Sequence, residues 1–166
     1  MKKFLGFFFV FALMLSMCAC DAVEDVLDVP AKEKTFTVEN MTITLNDDFF
    51  RLDRLAQEQD FCISSEDIVI FGLKVDREET SMTVQEYAAA FREVMNEPTM
   101  SEIRQLDGNP VMQYESPDDE GEMRIIYIVI YPTDECFWLL QFISEKDDFA
   151  ENQPLIEQYA KSVKFS

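Results

Sequence analysis

Few groups in this 166-residue chain could do chemistry: four cysteines (Cys18, Cys20, Cys62 and Cys136), adjacent acids at Asp118-Asp119-Glu120 and Asp147-Asp148, and five tyrosines. Histidine is absent. That removes the usual general base, histidine-containing triads and most transition-metal sites. Carboxylates are then the only catalytic chemistry available. A carboxylate-based hydrolase such as a glycosidase needs two carboxyls facing each other across a cleft, whereas both acid pairs fall in predicted turns, where acids are ordinarily just solvated. The same acids are the candidates for a divalent cation. Calcium takes about six to eight oxygens, and Asp118-Asp119-Glu120-Gly121-Glu122 lacks the alternation of an EF-hand loop. Weak, unspecific cation binding is the most this pattern predicts. No cofactor and no metal site are expected.

The cysteines divide by position. Lys2 and Lys3 precede an apolar run from Phe4 to Leu15, followed by Ser16-Met17-Cys18-Ala19-Cys20 and then acidic chain. This order reads as an export signal, and the run is shorter than the about 20 apolar residues a membrane-spanning helix requires. The segment resembles a bacterial lipoprotein signal, with Ala19 as the small residue before the lipidated cysteine. The resemblance implies cleavage before Cys20 and a diacylglyceryl group, with palmitate-type chains, on its thiol. At about 0.8 kcal/mol per buried methylene, two acyl chains hold a protein stably where one does not. Asp21 resembles the residue that retains lipoproteins on the inner membrane of two-membrane bacteria. The expected location is therefore the outer face of the cell membrane, with the bilayer as partner through acylated Cys20.

This divides the chain into a signal peptide (1–19), an acidic tether (20–34) and a single domain (35–166). At about 5–6 Å × √n, the tether reaches roughly 20 Å. Loss of Lys2 and Lys3 reduces the 14 basic residues to 12 against 33 acidic ones, taking the formal charge from −19 to −21. Such a charge repels nucleic acid, which is excluded as a partner. Cys62 and Cys136 remain, both in apolar strand-like runs. They are the candidate disulfide in an oxidising compartment, or else two buried thiols. Sequence does not give the Cα separation that would decide.

The elements follow from period and punctuation. Thr35–Val38 and Met41–Leu45 alternate apolar residues with threonine around Glu39-Asn40 and predict a β-hairpin, with Asn40 suited to a positive φ. Phe49-Phe50 then re-enters the core, and residues 51–60 read as an irregular connection. Phe61–Ser64 and Ile68–Val75 are strands. Thr83-Val84-Gln85-Glu86 is a capping box opening a helix whose apolar stripe is Val84, Tyr87, Ala88, Phe91, Val94 and Met95, terminated by Pro98. Asp107-Gly108 joins two strands as a hairpin turn. Met123–Tyr131 and Cys136–Ile143 are apolar enough for the centre of a sheet covered on both faces. Because proline is costly inside a helix, a terminal helix is expected to start near Asn152 or Gln153, ahead of Pro154, with Val163–Phe165 as a short edge strand.

This order resembles the PsbP-like fold, named for an extrinsic subunit of photosystem II and shared with a Ran-binding import factor and small bacterial lipoproteins. The likeness is carried by Ile43-Thr44-Leu45 with Phe49, Met82–Ala88, Leu106-Asp107-Gly108-Asn109-Pro110 and Ser162–Phe165. It implies an α+β domain in which an antiparallel β-sheet is flanked by helices (an α/β/α sandwich). It also implies accessory or binding roles more often than catalysis. The expected function is a non-catalytic binding or accessory domain, its partner an unknown envelope protein or small ligand. The candidate binding face is the side of the sheet bearing Tyr127 and Tyr131, since tyrosine joins apolar area to a polar tip. The competing reading is that the terminal helix covers both.

Overall fold

A computed structural model describes residues 32–52, 60–77 and 82–166. The signal peptide, Cys20, most of the tether and most of the connection 51–60 lie outside the described residues.

Two successive apolar strands organise the domain. β8 (Met123–Pro132) and β9 (Cys136–Glu145) pair antiparallel over their full length. Their alternation gives two buried faces rather than one. Tyr127, Val129, Tyr131, Trp138, Leu140 and Phe142 face one core cluster, while Ile126, Ile128, Ile130, Phe137 and Leu139 face the other. The remaining strands extend this pair into a seven-stranded antiparallel sheet of order β3-β4-β5-β9-β8-β7-β6, with β3 at Phe50–Arg51, β4 at Phe61–Ser64, β5 at Val69–Asp76, β6 at Arg104–Leu106 and β7 at Asn109–Pro117. A second sheet, β1-β2-β10, is built from Glu33–Val38, Met41–Asn46 and Lys164–Phe165. β1 thus opens at Glu33, so the last two residues of the stretch read as tether pair with β2.

Helix α1 (Val84–Met95) covers one face of the large sheet. Its capping box is complete: the Thr83 hydroxyl accepts from the Glu86 N–H, and the Glu86 carboxylate accepts from the Thr83 N–H at 2.8 Å. Tyr87 stacks on Phe137 with ring centres 4.6 Å apart, and Ala88 is fully buried. Val94, expected in the apolar stripe, is 83% exposed. The helix ends at Asn96, which takes a left-handed conformation (φ 46°), so the stop lies ahead of Pro98.

The other face carries helix α2 (Phe149–Lys161) together with the small sheet, whose Val38, Met41, Ile43 and Leu45 join the same core as Trp138 and Tyr159. α2 starts at Phe149 and runs through Pro154, earlier than the fresh start near Asn152. Phe149 is buried with its ring 6.3 Å from that of Tyr127. Burying a phenylalanine stabilises by roughly 1.5–3 kcal/mol, comparable with the cost of the proline, about 3 kcal/mol. At the far end, the Ser162 hydroxyl accepts from the Thr44 N–H at 3.0 Å, which locks α2 against β2.

The turns differ in detail from expectation. Glu39 takes the positive φ of the first hairpin (49°), not Asn40. Asp107 and Gly108 both have positive φ (49° and 83°), the backbone of a two-residue hairpin turn. Phe49 is buried as expected, but Phe50 is 50% exposed.

Candidate functional site

The tyrosine face is closed. Tyr127 and Tyr131 lie beneath α2, at 1% and 4% exposure. The Tyr131 hydroxyl donates to the Ala160 carbonyl at 2.8 Å, and that of Tyr127 to Glu157 Oε1 at 3.4 Å. Burial, reinforced by the Glu157 charge, pushes the Tyr127 phenol up to about 12, and burial raises Tyr131 further still. These residues are core, not a binding surface. The physical reason is that α2 buries its own apolar face against the same apolar strand.

The disulfide is not formed either. Cys62 and Cys136 are free, buried thiols. Phe61 and Ile63 face the α2 side, so the intervening Cys62 points to the α1 side, whereas Cys136 sits with Trp138 and Leu140 on the α2 side. Cys62 aligns through Phe71 with Gln141, which lies about 17 Å along β9 from Cys136 at ~3.4 Å per residue. A bridge needs Cα atoms within about 7 Å. Burial raises the Cys62 thiol above its ordinary value.

The acid pairs prove structural or solvated. Asp118 is partly enclosed, which opposes its ionisation. The main-chain N–H groups of Glu122 and Glu120, each at 2.9 Å, and the Arg124 guanidinium at 2.6 Å nevertheless hold its carboxyl below the ordinary range. It braces the β7–β8 turn. Asp119, Glu120, Asp147 and Asp148 are exposed. Among the described residues, no three acid or cysteine side chains converge to hold a metal ion.

What the structure does assemble is a cavity of about 440 Å³ between three segments: the β2–β3 connection (Asn46, Asp48, Phe49, Phe50), the β4–β5 turn (Ser65, Glu66, Asp67, Ile68) and one side of α2 (Asn152, Leu155, Tyr159). The pairing Phe50 with Ser64 brings the first two together, and the Ser162 latch to Thr44 holds α2 beside them. The β4–β5 turn is itself rigid, because the Ser65 hydroxyl both accepts from the Ile68 N–H and donates to its carbonyl.

Two buried polar atoms on this lining have no hydrogen-bond partner, Tyr159 Oη and Asn46 Oδ1. Tyr159 is 3% exposed, its ring set edge-on to Phe49 at 5.3 Å and 86°. Burial pushes its phenol pKa up, the nearby Asn46 main-chain amide offsets part of this, and the Asp48 carboxylate adds to the rise. The Asn46 side-chain amide donates to Asp48 at 3.2 Å, which leaves its carbonyl oxygen unmet. A buried polar atom without a partner costs about 1–3 kcal/mol. Sequence reasoning missed this site. Its only local signal was Phe49-Phe50 flanked by Asp47-Asp48, which reads equally well as a strand re-entering the core.

No family model matches the sequence, and no curated protein is significantly similar to it. Solved structures do match. The domain superposes on the cyanobacterial PsbP protein CyanoP from Synechocystis sp. PCC 6803 with a TM-score of 0.53 at 10% identity, covering 81% of this chain and 92% of that one. Mog1p, a Ran-binding protein of Saccharomyces cerevisiae, matches with a TM-score of 0.52 at 9% identity over 81% of this chain and 96% of its own. LpqN of Mycobacterium tuberculosis, described as involved in cell envelope biogenesis, matches with a TM-score of 0.50 at 12% identity over 85% and 94%. At these identities the likeness is one of fold, and the chain has the PsbP-like fold, an antiparallel sheet flanked by helices.

Proposed function

We propose that this protein is a non-catalytic binding or accessory domain, held at the outer face of the cell membrane by lipid on Cys20, and that it binds its ligand or partner through the cavity between Asn46, Ser65–Ile68 and α2. The observation that carries the reading is Tyr159, a buried residue of the cavity wall whose hydroxyl has no partner in hydrogen-bond geometry. Phe50, half exposed beside it, supplies an apolar rim. Mog1p is by its name a Ran-binding protein, and LpqN is described as involved in cell envelope biogenesis. The first lends support to a binding role for this fold, the second to a role at the cell envelope. The lack of histidine leaves the carboxylates of the cavity without the commonest proton-transfer partner.

The test places a photo-crosslinking phenylalanine analogue at Phe50 and, as control, at the exposed Val94 on α1, in intact cells. A discrete adduct from position 50 and none from position 94 is the expected result, whereas adducts only from position 94 would move the binding face to α1. Cys20→Ser is expected to release the folded domain from the membrane and abolish the position-50 adduct. Retention of the variant on the membrane would sink the lipid anchor.

A further inference from the structure

We draw no further inference here: the strongest candidate, the α1-side face of β5 and β9 where Val69, Phe71 and Ile143 stay partly exposed, carries nothing, because nothing among the described residues shows what covers it.

Discussion

Replacing Tyr159 with phenylalanine is expected to stabilise the domain. The ring contact with Phe49 at 5.3 Å survives the change, since only the hydroxyl is removed. That hydroxyl meets no partner in hydrogen-bond geometry, although the residue is 3% exposed. A buried unsatisfied polar group costs about 1–3 kcal/mol. Because the Asn46 main-chain amide lies near the hydroxyl and offsets part of its burial, the lower end applies, and a gain of about 1 kcal/mol is expected. In a domain of this size that corresponds to a rise in Tm of roughly 3–4 °C. Urea unfolding followed through Trp138 suits the measurement, since it is the sole tryptophan and is fully buried. Tyr131→Phe is the internal control. It removes the hydrogen bond to the Ala160 carbonyl at 2.8 Å, which keeps the longer bond from the Val163 N–H at 3.3 Å, so it should lose about 0.5–1.5 kcal/mol. Opposite signs for the two variants are the expected outcome. If Tyr159→Phe destabilises as much as Tyr131→Phe, the hydroxyl is engaged within the fold and the cavity loses its defining feature.

Raised tyrosine pKa values predict an alkaline limit. In the unfolded chain the phenols ionise near about 10, whereas Tyr127 is held at about 12 by burial. Between those values the unfolded state sheds protons that the folded state keeps, so stability is intact below about pH 10 and falls as pH rises toward 12. Absorbance titration near 295 nm against urea midpoints at each pH checks this, and a flat profile through pH 11 contradicts it. Thiol titration without reductant should find Cys62 and Cys136 silent in the native domain and both reactive on unfolding, whereas two unreactive sulfurs in denaturant would mean a bridge between residues that the sheet holds on opposite faces. Gly72→Ala should destabilise by about 1–3 kcal/mol, because a Cβ there would run into the Phe61 ring. Adding Phe61→Leu should recover part of the loss, and additive losses would show that the two sites do not touch.

Much of the fold was legible because it is written in local periodicity and punctuation. The two apolar faces of β8 follow from alternation alone, Ile126, Ile128 and Ile130 against Ile125, Tyr127 and Val129. The capping box at Thr83 and the turn at Asp107-Gly108 depend on atoms a few bonds apart, and both formed as expected. Errors fell where packing outweighs a local rule. Pro154 argued against a helix through it, yet Phe149 gains enough from the core to draw α2 past it. Val94 fits a helical stripe by spacing, but α1 lies against the sheet on a narrower face that leaves it in solvent.

Composition and order thus determined an acidic, histidine-free domain built on a central antiparallel sheet with helices, behind a segment resembling a lipoprotein signal. Which tyrosine hydroxyl lacks a partner was settled only by the tertiary structure. Tyr127, Tyr131 and Tyr159 are alike as residues, and what separates them is whether a neighbour remote in sequence meets the hydroxyl. Glu157 and Ala160 meet the first two. The Tyr159 hydroxyl has no such partner, although the residue lies against segments more than 80 residues away, at Asn46–Phe50 and Ser65–Ile68. An unmade hydrogen bond is a property of what surrounds a group in three dimensions, and no pattern in the chain encodes it locally.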